Sequence, residues 1–186
     1  MRFYQIVLLV TVCASFFPSM ATAQATDVPP VMSKPYSAEL ALLGNSSSIP
    51  TMMKFFVDGP KTRIEITEDG NLTVEIVRED QQKIYIPVPG GKTKEIPLTD
   101  KTRDALVYVA HLAEGKFEDL GHEATGPSPR AIYKVTLTNG SNFCLWIDSY
   151  THLPVKLADS RNTFIYLKFE YGDQSPALFE PPDDTK

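Results

Sequence analysis

The sequence predicts a mostly β protein whose strands form an antiparallel sheet, accompanied by one convincing helix. From Tyr36 onward, short runs of alternating apolar and polar residues follow one another, which is the pattern of half-buried strands. Turn sequences separate these runs, most clearly Asp58-Gly59-Pro60, Asp69-Gly70 and Asn139-Gly140. Such short connections favour antiparallel neighbours, because parallel strands need long crossovers. A sheet of this kind closes into a barrel, forms a sandwich or curls around another element.

The start of the chain has the features of a secretory signal peptide. Arg2 gives a positive start, an apolar run follows, and Ala21-Thr22-Ala23 supplies the small residues of a cleavage site. The run spans about 15 residues, fewer than the ~20 that a membrane-spanning helix needs. We therefore expect an exported protein without a transmembrane span, periplasmic where the source has a periplasm and extracellular elsewhere. The expected organisation is a signal peptide (1–23), a flexible Pro-rich leader (24–35), one domain (36–182) and a short tail (183–186).

Six extended segments are predicted in the first half of the domain. The clearest pair flanks the Asp69-Gly70 turn, where Ile64 and Ile66 alternate with charged residues before the turn and Val74 and Ile76 alternate after it. The six segments are Tyr36–Leu43, Thr51–Val57, Lys61–Glu68, Leu72–Ile76, Lys83–Val88 and Lys94–Leu98.

A helix is predicted from Asp100 to Glu114, between two groups of strands. Its apolar residues recur at three- and four-residue spacing, which is the pattern of a helix with one buried face. Thr99 or Asp100 can cap its beginning, and Gly115 lies where a helix end favours a left-handed residue. The stripe consists of Ala105, Leu106, Val109, Ala110 and Ala113.

The second half of the domain is predicted to return to strands after a looser stretch at Gly121–Pro129. Alternating apolar residues indicate strands over Tyr133–Leu137, Phe143–Ile147, Leu153–Leu157 and Ile165–Phe169. The total is about nine or ten strands. From Gly172 the chain is proline-rich and irregular, and Leu178 and Phe179 are its candidate docking residues.

Composition and motifs argue against several classes of function. The formal net charge of −5 disfavours nucleic-acid binding. His111, His122 and His152 lack the spacing of metal ligands, and an enzyme would need a cleft that joins His122 or His152 to an acid. Cys144 is the one cysteine outside the predicted signal peptide, and we expect it to be a small buried side chain. We predict no enzyme, no metal and no cofactor.

Charged side chains on the hairpin strands are expected to form cross-strand ion pairs that face water. Arg63 and Glu65 alternate with the apolar residues of one strand, and Glu75 and Arg78 belong to the next.

Several strands carry large apolar residues on both faces, which indicates that both faces contact something other than water. One explanation is a core on one face and a packed helix or tail on the other. The second is a hydrophobic cavity for an acyl chain or another apolar ligand. The candidate cavity residues are Phe55, Ile64, Val74, Ile76, Ile84, Leu106, Val109, Leu145, Trp146 and Leu167.

Short motifs in the domain resemble the periplasmic lipoprotein-carrier half-barrel superfamily, of the LolA/LolB and outer-membrane lipoprotein-sorting type, in an uncharacterised branch. Leu145-Trp146-Ile147-Asp148 followed by Leu153-Pro154-Val155-Lys156-Leu157 resembles a strand pair of that group, and Leu178-Phe179-Glu180-Pro181-Pro182 resembles its ending. Tyr36–Glu39 and Asp58–Glu65 resemble its first half. The resemblance implies a curved antiparallel sheet, an open half-barrel covering a helix, with a cavity that holds acyl chains. The carriers begin with an amphipathic helix, whereas this chain has the Pro-rich leader there.

Two main functional hypotheses follow. The leading one is an exported soluble binding protein of the cell envelope that holds a lipid or lipoprotein acyl chain in a hydrophobic cavity. The alternative is a protein-interaction or envelope-stress-sensing module on the same scaffold, with a filled interior and an envelope protein as its partner. The state of the interior distinguishes them.

Overall fold

The computed structural model describes residues 32–44, 49–103, 105–124 and 128–182. Within these ranges, 11 strands form one antiparallel sheet, and the predicted mostly β fold with a curved open sheet covering a helix is confirmed. The helix α1 spans Ala105–Ala110, and short 3-10 turns span Glu79–Gln81, Leu112–Glu114 and Pro176–Phe179. The strands are β1 Tyr36–Gly44, β2 Thr51–Asp58, β3 Lys61–Glu68, β4 Asn71–Arg78, β5 Lys83–Ile86, β6 Lys94–Pro97, β7 Lys116–Glu123, β8 Arg130–Thr136, β9 Asn142–Asp148, β10 Pro154–Ala158 and β11 Asn162–Tyr171.

The sheet consists of two meanders that join in its middle. The strand order is β6-β5-β4-β3-β2-β1-β11-β10-β9-β8-β7, so β1 pairs with β11 and every other neighbour is consecutive in the chain. Strands β6 and β7 therefore form the two edges. Because α1 connects these edges, the chain crosses one face of the sheet at the helix. We call the face that packs on α1 the concave face and the opposite one the outer face.

The core fills the concave face. Three helix side chains, those of Val107, Val109 and Ala110, are at most 1% exposed, and Leu112 in the following turn is equally buried. These residues belong to one cluster with inward-facing residues of both meanders. The strand members include Leu40, Met53, Phe55, Val57, Ile64, Val77, Ile84, Phe117, Val135, Phe143, Leu145, Ile147, Leu157 and Phe164.

A buried tyrosine fixes the end of α1 to the first strand. Tyr36 is fully buried, and its hydroxyl donates a hydrogen bond of 2.7 Å to the carbonyl oxygen of Ala110. Its ring stacks on that of Phe169, with centroids 4.8 Å apart. Burial raises the pKa of the Tyr36 hydroxyl well above its usual value, so the group remains a donor. The bond satisfies a carbonyl that the helix end leaves without an intrahelical partner.

The helix is shorter than the sequence predicts, and Gly115 has a different role from the one expected. The predicted helix Asp100–Glu114 is reduced to α1 and the turn Leu112–Glu114. Gly115 adopts φ −77° and ψ 171°, which is extended and not left-handed. A Cβ atom at this position would lie 2.7 Å from Cγ1 of Val135. Glycine is therefore needed because the chain passes directly against β8.

Replacing Tyr36 by phenylalanine is expected to destabilise the protein by about 1–3 kcal/mol, because the buried carbonyl of Ala110 loses its donor. Tyr166→Phe is the matched control: the Tyr166 hydroxyl is also buried, but it has no hydrogen-bond partner within the described structure. Its removal should be neutral within about 0.5 kcal/mol, or stabilising. Urea unfolding of both variants measures the difference, and equal losses would contradict the role assigned to Tyr36.

Gly115→Ala is expected to cost roughly 1–3 kcal/mol, because the added methyl group overlaps Val135. Gly44→Ala at the end of β1 is the control, since a Cβ there meets no atom within 4 Å. Thermal unfolding should leave that control close to the parent protein. A Gly115→Ala protein with an unchanged midpoint would show that the close approach to β8 is not required.

Candidate functional site

Most predicted cavity residues lie in the core on the concave face. Phe55, Ile64, Ile84, Val109 and Leu145 are each at most 2% exposed and share one cluster. Leu106 is partly buried against that cluster. The structure therefore brings these six residues together, but as packing partners of one another. A ligand-binding role for them stays a prediction.

Val74 and Ile76 lie on the outer face, so the predicted concave placement is wrong for both. The turn between β3 and β4 has two residues, Asp69 and Gly70, with φ of 50° and 79°. Glu68 therefore pairs with Asn71, and every even-numbered residue of β3 lies opposite an odd-numbered residue of β4. Across from Ile64 lies Glu75, and across from Arg63 lies Ile76.

Trp146 and Leu167 also lie outside the core cluster, Trp146 on the face that the alternation of β9 predicts for it. Trp146 follows the core residue Leu145 in β9, so it points to the outer face. There its indole N–H donates to Glu123 at 2.9 Å, and the Nζ atom of Lys156 lies 4.0 Å from its ring centroid. Leu167 is 56% exposed and has no partner in β1, because a bulge interrupts the pairing.

The surface cavities lined by the described residues include the following three. One of about 220 Å³ lies over the middle of the sheet and is lined by Ser37, Ala38, Glu39, Lys54, Phe56, Lys168 and Glu170. The second, which we call the apolar groove, measures about 680 Å³ and is lined by Leu72, Val74, Pro87, Val88, Pro89, Gly90, Gly91, Lys92, Thr93 and Pro182. The third, the polar cleft, measures about 560 Å³ and is lined by Met32, Ser33, Lys34, Pro35, Val57, Asp58, Gly59, Pro60, Glu79, His111, Ala113 and Glu114.

The polar cleft contains a largely buried histidine at the end of α1. The His111 side chain is 10% exposed; its Nε2 lies 2.8 Å from the hydroxyl of Thr62, and its Nδ1 lies 3.4 Å from a carboxylate oxygen of Glu114. A carboxylate near Nδ1 favours a proton on that nitrogen, which leaves Nε2 to accept the Thr62 hydrogen. Burial lowers the pKa of His111, against the opposing effect of Glu79 and Glu114.

Glu79 in the polar cleft and Thr62 beside it are both committed to structural contacts. Glu79 forms an ion pair with Arg103, and the Arg103 guanidinium lies 5.3 Å from the ring centroid of Tyr108. The hydroxyl of Thr62, which is fully buried, contacts His111. His122 and His152 are both exposed and do not line this cleft. Among the described residues, no group of three or more His, Cys, Asp or Glu side chains is arranged to hold a metal ion.

A second site lies on the outer face, beneath the C-terminal tail. The turn Pro176–Phe179 packs against β3 and β4. Phe179 and Ile76 are both fully buried, yet neither belongs to the cluster on the concave face. We call the surface formed by Arg63, Ile76 and Arg78 the tail site.

Two arginines of the tail site bind the backbone of the tail. Arg63 donates from Nη1 to the carbonyl of Leu178 at 3.3 Å, and Arg78 donates from Nη1 to the carbonyl of Phe179 at 3.3 Å. The same Nη1 atom of Arg78 lies 3.0 Å from the carboxylate of Glu180. The expected water-facing cross-strand ion pairs are therefore wrong here, because the tail covers this face and the Arg78 side chain is only 8% exposed.

Acidic residues close in sequence hold both guanidiniums in place. Arg63 forms an ion pair of 2.7 Å with Glu65, two residues along the same strand. Arg78 makes two hydrogen bonds of 2.9 Å to Asp80, one to each carboxylate oxygen. These contacts lower the pKa of Asp80 and raise that of Arg78.

Sequence reasoning missed the roles of His111, Arg63 and Arg78. His111 lies off the predicted apolar stripe, four residues after Val107, which the stripe also does not include, so the apolar spacing gave no signal for its burial. The tail site had no local signal in the sequence, because the tail and the hairpin are far apart in the chain. Arg78 and Phe179, which are in contact, are separated by 101 positions.

Comparison with known proteins gives likenesses of fold. No protein-family profile matches the chain, and no curated protein matches it in sequence. An uncharacterised conserved protein from Thermus thermophilus is similar, with a TM-score of 0.55 and 12% identity over 83% of this chain and 89% of that one. The Pseudomonas aeruginosa MucA/MucB complex matches with a TM-score of 0.43 and 17% identity, over 81% of this chain and 56% of the other. A putative outer membrane lipoprotein-sorting protein domain from Vibrio parahaemolyticus gives 0.44 and 9%, over 78% and 89%.

At such low sequence identities, a likeness between structures bears on the fold alone. The likeness to the Thermus thermophilus protein supports the antiparallel open sheet described above. In the described ranges, no helix is both long and apolar enough to cross a membrane.

His111→Gln is expected to remove part of the acid sensitivity of the fold. The folded protein lowers the pKa of His111, so below about pH 6.5 the unfolded chain binds more protons and the free energy of unfolding falls as the pH drops. Glutamine keeps a polar contact to Thr62 without titrating. Urea unfolding between about pH 7 and pH 5 should therefore show a shallower slope for the variant.

The exposed His122 provides the control for this experiment. A His122→Gln protein should keep the slope of the parent. If the parent and the His111→Gln protein lose stability in parallel as the pH falls, the burial of a neutral His111 is contradicted.

Proposed function

We propose that this chain is an exported protein-interaction module of the cell envelope that binds a protein partner and carries no acyl chain in its interior. The observation that supports this most directly is the filled concave face. Phe55, Val109 and Leu145 are each fully buried in one core, with α1 packed across the sheet.

Opening the concave face for an apolar ligand would be costly. A ligand cavity presents its apolar walls to the ligand, whereas here those walls contact each other. Moving the helix would expose Val107, Val109 and Leu112, at about 1.5–3 kcal/mol each. The sum of roughly 4.5–9 kcal/mol is a large part of the about 5–15 kcal/mol by which an ordinary domain is stable. Such an opening resembles unfolding more than the movement of a lid.

Export and an envelope location are part of this proposal. They are supported by the positive start, apolar run and Ala21-Thr22-Ala23 site at the beginning of the chain. A protein of this kind with a filled interior would bind a partner at its surface. The apolar groove and the tail site both lie on the outer face.

Lipid binding is the direct test. Protein purified from its native compartment should show its bare mass in native mass spectrometry, and it should not bind a fluorescent fatty acid that a fatty-acid-binding protein binds in the same assay. Cross-linking in the intact compartment should give one defined protein adduct. A lipid bound in stoichiometric amount, or saturable binding of the fatty acid, would overturn the proposal.

A further inference from the structure

We propose that the tail site is a peptide-recognition site that the chain's own C-terminal tail occupies, and that its partner supplies a segment of the same chemistry: an aromatic residue followed by an acidic one. The inference rests on the proposed function, since it names the surface and the kind of segment that the module would recognise.

The contacts of the tail separate recognition of the backbone from recognition of side chains. Two consecutive carbonyls, of Leu178 and Phe179, accept hydrogen bonds from Arg63 and Arg78. Carbonyl contacts of this kind suit any segment that adopts the same turn, because every residue provides the acceptor. Selectivity comes from Phe179, which is fully buried, and from the carboxylate of Glu180, 3.0 Å from Arg78.

The sheet provides this site without help from the tail. Asp80 holds the Arg78 guanidinium through both oxygens, and Glu65 holds that of Arg63. Because these acids lie in or beside the same strands, the two donors keep their orientation when the tail leaves. A site ordered before binding loses less conformational entropy when a ligand binds.

The contacts of the tail allow it to dissociate from the sheet. Gly172, Asp173 and Ser175 are exposed and lie outside regular structure, as does Pro182 beyond the turn. Glu180 has a side chain that is 61% exposed, so its ion pair with Arg78 is screened by solvent. Phe179 is the one tail residue that is fully buried among those described, and it is no member of the concave cluster. Release of the tail therefore leaves the main core intact.

The neighbouring groove extends the site beyond the end of the described tail. Pro182 lines the apolar groove of about 680 Å³, together with Leu72, Val74 and Val88. Leu72 is 53% exposed and Val88 is 47% exposed. A partner segment with apolar residues after the aromatic–acidic pair would cover these side chains.

The test uses the full chain and a fluorescent peptide with the sequence of residues 175–186, followed by fluorescence anisotropy. In the Phe179→Ala protein the tail loses its anchor, so the peptide should bind at least about ten-fold more tightly than it does to the parent protein. A peptide with alanine in place of phenylalanine should not bind. Leu120→Ala, on the edge strand β7 and 50% exposed, is the control protein and should behave as the parent.

A second measurement keeps the test decisive if the Phe179→Ala protein does not fold. Excess unlabelled peptide added to the isotopically labelled parent protein should displace the tail and shift the amide resonances of Leu178 and Phe179 of the protein. Absence of these shifts, equal binding to the parent and to a folded Phe179→Ala protein, or binding that does not depend on the phenylalanine of the peptide would overturn the inference. A bound lipid would overturn the proposed function and leave these results unchanged, so the two failures are distinguishable.

Discussion

The structure depends on the packing of one short helix against the concave face of the sheet. With only six residues, α1 is too short to be stable in water on its own, so tertiary contacts must hold it. Val107 and Val109 provide the apolar part of these contacts, and the Tyr36 hydroxyl fixes the C-terminal end through the carbonyl of Ala110. The helix connects the two edge strands, so the same contacts also bring the two meanders onto one core.

This packing determines which surfaces remain for recognition. The apolar side chains described on the concave face contact the helix and one another. Among the described residues they therefore leave no large exposed apolar surface on that face. On the outer face, the tail covers Ile76, while Leu72 and Val88 remain about half exposed in the adjacent groove. An apolar residue on the outer face and two arginines held by neighbouring acids form a site for a chain segment. In the proposed function, the interior provides stability and the outer face provides the binding surface.

The sequence was sufficient to predict the fold class and much of the core, and the predictions that were wrong have physical causes. Alternation and turn residues predicted the antiparallel sheet, and the spacing of apolar residues located the helix between two strand groups. Placing Ile76 beside Ile64 ignored the parity that a two-residue turn imposes, although Asp69-Gly70 was visible. The placement of Leu167 could not be predicted, because a bulge in β11 shifts its pairing. The contacts of Arg63 and Arg78 with the tail join distant parts of the chain, so no local pattern indicates them.

Native-state hydrogen exchange of the α1 amides tests the central claim most directly. If the helix is an integral part of the core, the amide of His111, which bonds to the carbonyls of Val107 and Tyr108, should exchange only through global unfolding. Its exchange free energy should then equal the free energy of unfolding measured with denaturant. Exchange at a clearly lower free energy, while the core amides of β1 and β9 stay protected, would show that α1 opens as a lid and would contradict the account.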